Sequence, residues 1–104
     1  MLEIEIISGP QDGTIIILTE EDHTTLWTKD IGSKLSFPWD TELGSPQAII
    51  RHKGDEWEIE AYDSPHGLYV MNGDGKLLGI KKIKKGQIYR ANYTWLKMKN
   101  IQHE

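Results

Sequence analysis

Apolar and polar residues alternate with period two at Leu2, Ile4 and Ile6 against Glu3 and Glu5, and again at Trp57, Ile59 and Ala61 against Glu56, Glu58 and Glu60. A strand points successive side chains to opposite faces, so each run predicts a strand with one face in a core and the other in water. Further apolar and β-branched runs predict strands over 14–19, 24–31, 47–52, 68–71, 76–79, 87–91 and 93–99. Turn formers punctuate them: Gly9-Pro10-Gln11-Asp12-Gly13, His52-Lys53-Gly54-Asp55, Asp63-Ser64-Pro65-His66-Gly67, Asn72-Gly73-Asp74-Gly75 and Lys85-Gly86. Short strands broken by turns every 8 to 12 residues or so predict an antiparallel sandwich or barrel. The segment 20–46 is interrupted by Pro38, Gly44 and Pro46 and is where long, functional loops are expected.

Composition sharpens the all-β reading. The chain has 14 Ile and 7 Thr but only 3 Ala, a balance that favours stiff β-branched side chains over the best helix former. Its 104 residues suit one domain spanning 1–104, with 100–104 expected as a frayed tail, and exclude a second folded domain. A chain of this size can hold a core without a disulfide or a metal. The absence of cysteine removes thiol nucleophiles, disulfide frameworks and cysteine-ligated metal sites. No apolar stretch approaches the roughly 18 residues of a membrane span, and the opening MLEIEI is acidic where a signal peptide would be basic. A cytoplasmic protein without membrane insertion is expected.

The net charge of −4 conceals an asymmetry: residues 1–63 carry 14 acidic and 4 basic side chains, residues 64–104 carry 2 acidic and 8 basic. The run Lys76, Lys81, Lys82, Lys84, Lys85, Arg90, Lys97 and Lys99 could form a patch for nucleic acid or another polyanion. Early and late strands that pair antiparallel would give the same asymmetry by facing opposite charges across the sheet. The net acidic charge favours that second reading and disfavours nucleic acid as a partner. The four histidines, His23, His52, His66 and His103, have no metal-ligand spacing and no neighbouring nucleophile and acid. With no phosphate loop and no nucleophile motif either, the sequence predicts no enzyme, no metal and no cofactor.

Four tryptophans remain to be placed. Trp27, Trp57 and Trp95 fall on predicted strands and read as core or cross-strand packing. Trp39 lies in FPWDTEL, where Phe37 and Trp39 make either a hydrophobic partner surface or a cap on one end of the core.

The order of these landmarks resembles a forkhead-associated (FHA) domain over nearly the whole chain. Leu2–Leu18 is similar to that family's first hairpin, and Ile31-Gly32-Ser33 stands where the family has an apolar residue followed by Gly-Arg. LGSPQAII at 43–50 resembles its apolar-Ser-Arg/Ser-any-His-Ala-any-apolar stretch. Trp57-Glu58-Ile59, Ser64-Pro65-His66-Gly67-Leu68-Tyr69-Val70, Asn72-Gly73 and Ile83-Lys84-Lys85-Gly86-Gln87-Ile88-Tyr89 follow the later segments in order. The resemblance implies a β-sandwich whose loops, clustered at one end, bind phosphothreonine peptides without catalysis.

Several phosphate-reading positions depart from the family's pattern. The expected Arg is Ser33, the phosphate-binding Ser is Gly44, and the next Arg or Ser is Ser45. The loop-bracing His is Gln47, the peptide-contacting Asn is His66 and the following Thr is Leu68. Losing a guanidinium fork costs about 1.5–3 kcal/mol and losing a hydroxyl about another 1 kcal/mol, together on the order of a hundredfold in affinity. The candidate ligand-binding residues are Ser33, Lys34, Gly44, Ser45, Gln47, Ser64 and His66, with Lys34 a point charge near the missing fork. The expected function is a protein-interaction module with weakened or lost phosphothreonine dependence. The alternatives are a phosphopeptide reader using these substitute donors and, less favoured, a polyanion-binding β-domain.

Overall fold

The computed structural model describes residues 1–73 and 75–102. Asp74 of the predicted Asn72–Gly75 turn, His103 and Glu104 of the expected tail lie outside the described residues. Among the described residues eleven strands form two sheets: β1 (Leu2–Ile6), β2 (Ile15–Leu18), β3 (Thr24–Thr28), β4 (Leu35–Ser36), β5 (Ala48–Lys53), β6 (Glu56–Ala61), β7 (Tyr69–Val70), β8 (Gly75–Lys76), β9 (Ile80–Lys82), β10 (Ile88–Ala91) and β11 (Thr94–Ile101). One sheet runs β2-β1-β11-β10-β7-β8 and the other β4-β3-β5-β6-β9. All pairs are antiparallel except β3 with β4, which pair in parallel through Trp27↔Leu35 and Thr28↔Ser36.

The period-two pattern sets which side chains meet between the sheets. Leu2, Ile4 and Ile6 of β1 and Leu96 and Met98 of β11 point inward from one sheet, and Ala48, Ile50, Trp57 and Ile59 of β5 and β6 from the other. Trp27, Trp57, Phe37 and Tyr89 fill the space between them. Fully burying one such apolar side chain stabilises the fold by about 1.5–3 kcal/mol.

The hairpin turns follow the residues that permit them. Lys53↔Glu56 closes β5 onto β6 across Gly54-Asp55, with Gly54 at φ +62°, and Ala91↔Thr94 closes β10 onto β11 across Asn92-Tyr93, with Asn92 at φ 52°. Gly and Asn enter this left-handed region at least cost.

Two strand expectations change, and one short strand was not expected. The segment 24–31 leaves the sheet after Thr28, and 76–79 is no strand: β8 ends at Lys76, Leu77 turns into the core, and β9 begins at Ile80. The short β4 has too few residues to display a period. At the C-terminus, β11 runs to Ile101 and the Met1 amino group donates to the Gln102 carbonyl at 2.6 Å, within the segment expected as a tail. Acidic early strands face basic late ones at Glu5↔Lys97 and Glu58↔Lys82, and Lys82 binds Glu56 at 2.8 Å.

Candidate functional site

The loops after β4 and β6 meet around one buried amide. Gln47 is fully buried just before β5; its Oε1 accepts from the Gly44 N–H at 2.9 Å, while its Nε2 donates to the Ser64 hydroxyl at 2.6 Å and the Gly67 carbonyl at 2.9 Å. One side chain thus locks the 44–47 loop to the 64–67 turn. The amide suits this junction because it offers both an acceptor and two donors. Gly44 is fixed by geometry as well: a Cβ there would lie 2.8 Å from the Pro46 carbonyl oxygen. The Ser45–Pro46 peptide is cis, and Ser45 is exposed at the loop's tip.

Ser33 and Lys34 stand apart from this cluster. They line a separate hollow with Asp22, Thr24, Leu26 and Ile31, to which neither the 44–47 loop nor the 64–67 turn contributes. The Ser33 hydroxyl donates to the Leu26 carbonyl and accepts from the Leu35 N–H at 3.2 Å, so it ties the β3–β4 connection together. The Lys34 ammonium binds Asp22 at 2.8 Å and the Ile17 carbonyl at 3.2 Å. That ammonium, with the Thr19 N–H second, holds the Asp22 carboxyl below its usual range. The sequence therefore groups seven candidates, and the structure joins Gly44, Gln47 and Ser64 by hydrogen bonds, with Ser45 and His66 on the same two loops.

Of the two residues expected as a partner surface or a core cap, Phe37 lies in the core. Phe37 is fully buried because its backbone pairs with Thr28 and turns the ring between the sheets. Trp39 is half-buried, meets Phe37 edge-on with centroids 6.5 Å apart, packs over Gly9 and donates its indole N–H to Gln11 Oε1 at 3.0 Å. It caps one end of the core.

Other residues at this end escaped the sequence reading. Asp40, almost fully buried, accepts from the Asn92 side chain, from the Tyr93 N–H at 3.0 Å and from the Thr94 hydroxyl at 2.9 Å. It docks the 37–43 segment on the β10–β11 turn. Arg90, beside that turn, places its guanidinium carbon 5.5 Å from the Trp95 ring centroid and donates Nε–H to the Asn92 carbonyl at 3.1 Å. His66 is exposed, with Nε2 3.6 Å from Glu42 Oε1. An acid directly after the aromatic residues of FPWDTEL was the available signal for Asp40; Arg90 sat unmarked within a run of lysines.

Of the remaining histidines, His52 lies against Trp57 with centroids 4.7 Å apart. Among the described residues no group of three or more His, Asp or Glu side chains could hold a metal ion, and no helix is long and apolar enough to cross a membrane.

Searched against protein-family models and curated protein sequences, the chain finds no match. Solved structures do resemble it. The FHA domain of a Chlamydia trachomatis protein superposes with a TM-score of 0.80 at 16% identity, covering 97% of this chain and 98% of that one. The FHA domain of FhaA, solved in complex with the intracellular domain of another protein, gives a TM-score of 0.76 at 15% identity, covering 93% and 98%. Mycobacterium tuberculosis EmbR, solved with a low-affinity phosphopeptide, gives 0.75 at 13% identity, covering 99% of this chain and 26% of that one. The chain has the fold of an FHA domain.

Proposed function

We propose that this chain is a non-catalytic, cytoplasmic protein-interaction module of FHA type, which binds segments of partner proteins across the 44–47 loop and the 64–67 turn with weakened or lost dependence on phosphothreonine. One observation carries the reading: Gln47 keeps the two loops rigidly joined, while the donors nearest the missing arginine are engaged elsewhere, Ser33 on Leu26 and Lys34 on Asp22. Stiff loops lower the entropy lost on binding, and a phosphate dianion without a guanidinium fork loses its strongest contact. The resemblance to FHA domains solved with a protein domain and with a phosphopeptide supports a polypeptide partner.

The test is an NMR titration of the labelled protein with a degenerate phosphothreonine peptide library and its unphosphorylated twin. Both libraries should move the amides of Gly44, Ser45, Ser64 and Gly67 to a similar extent. Shifts that require phosphate would overturn phosphate independence and favour a reader working through Ser45 and His66.

A further inference from the structure

The guanidinium fork absent from the β3–β4 connection is present on β10, in the other sheet. The chain has two arginines, and Arg51 is neutralised by Glu60 at 2.6 Å. Arg90 has no carboxylate within ion-pair distance among the described residues. Its stack on Trp95 and its Nε–H bond to the Asn92 carbonyl hold the plane of the fork and leave its terminal amino groups unpaired. Together with His66, Tyr69 and Asn92 it lines a hollow of ≈ 220 Å³. Tyr69 is the direct cross-strand neighbour of Arg90, its side chain is part-exposed, and its hydroxyl has no hydrogen-bond partner among the described residues. His66 comes from the 64–67 turn that Gln47 locks in place, so the hollow adjoins the proposed binding loops.

From this geometry we infer that Arg90, His66 and Tyr69 form a carboxylate-reading pocket that takes an Asp or Glu side chain of the bound partner segment. The inference rests on the interaction-module reading and names its ligand chemistry. A single fork matches a carboxylate through two parallel N–H···O bonds, and the Tyr69 hydroxyl adds a third donor. A phosphate carries up to about twice the negative charge of a carboxylate and so meets the stronger repulsion from Glu42, the acid that reaches His66. The Glu42 side chain is 62% exposed, so an entering carboxylate can displace it from the ring at little cost.

The experiment titrates the full labelled chain with three degenerate peptide libraries carrying a fixed central Glu, Gln or phosphothreonine, and follows the Arg90 Nε–H, Trp95 indole and Tyr69 amide signals. The Glu library should move all three and the Gln library should not. Arg90→Gln, checked for an unchanged fold by its spectrum, should weaken Glu-library binding at least about tenfold. Tyr69→Phe should weaken it several-fold, and Glu42→Gln should tighten it by removing the competing acid. The pocket is overturned if Glu and Gln libraries act alike, if only the phosphothreonine library reaches Arg90, or if Arg90→Gln binds normally. In the first and third of these cases, shifts at Gly44, Ser45 and Ser64 would still support the interaction module, and in the second the phosphate independence falls as well. No shift with any library at millimolar concentration would overturn both.

Discussion

Asp40 and Thr94 are 54 positions apart in the chain and share a hydrogen bond of 2.9 Å between two buried side chains. The same carboxylate accepts from Asn92 and from the Tyr93 N–H, so one acid holds the 37–43 segment against the β10–β11 turn. Removing it strands three donors, the buried Thr94 hydroxyl and the part-buried Asn92 amide and Tyr93 N–H. Asp40→Ala should destabilise the fold by about 2–4 kcal/mol in urea unfolding, and Asp40→Asn, which accepts through one oxygen only, by nearly as much. A loss under about 0.5 kcal/mol for both would show that water replaces the contact.

Much of this fold was legible from local pattern. Alternation at 2–6 and 56–61, with turn residues between runs, located strands whose inward faces are the core. The two-residue β4 was invisible because it is made by a side-chain device, the Ser33 hydroxyl holding Leu26 and Leu35, and no period can be expressed in so short a segment. The joining of the two candidate loops was legible where motif and bracing coincide, at Gly44, Gln47 and Ser64. Residue identity alone did not show engagement: Lys34 is a cation near the expected arginine in sequence, yet Asp22, twelve residues earlier, binds it. Arg90 needed the β7–β10 pairing to bring it beside Tyr69, and no spacing within the sequence encodes that contact.

Gln47 ties stability to the shape of the binding loops. Gln47→Leu keeps most of the volume but leaves the Gly44 N–H, the Ser64 hydroxyl and the Gly67 carbonyl without their partner. We expect a loss of about 2–4 kcal/mol. Amide hydrogen exchange at Gly44, Ser45, Ser64, His66 and Gly67 should accelerate more than at β1 or β11, because the loops open before the sheets do. Uniform acceleration over the whole chain would mean that Gln47 is only a core residue.

Trp39 and Gly9 are matched to each other. A Cβ at Gly9 would lie 2.4 Å from the indole ring, and its φ of +69° is itself costly for any other residue. Gly9→Ala should therefore destabilise by about 1–3 kcal/mol, and Trp39→Ala by about 3–4 kcal/mol through lost packing on Phe37. In the double variant the alanine at position 9 no longer meets the ring, so the two losses should sum to less than their separate values. Strict additivity would sink the contact as an energetic unit. If Trp39→Ala leaves thermal unfolding unchanged but abolishes partner binding, the ring is a partner anchor after all.

The Asp22–Lys34 pair gives the protein an acid-dependent increment whose sign is fixed. The Lys34 ammonium first, and the Thr19 N–H second, hold the Asp22 carboxyl below its ordinary value of 3.8. As pH falls the unfolded chain takes up this proton before the folded one, so the pair's stabilisation is present above 3.8 and is lost as pH drops through the depressed folded value. Both side chains are part-exposed, so the pair is worth no more than about 1 kcal/mol. The stability difference between the parent chain and Lys34→Met should hold constant from about pH 7 to about pH 5, shrink below about pH 4, and narrow at neutral pH in about 1 M salt. A difference independent of both acid and salt would mean that Lys34 is not held by Asp22. Its ammonium would then be free to meet a ligand phosphate, and the phosphopeptide reading would regain the cation it lacks.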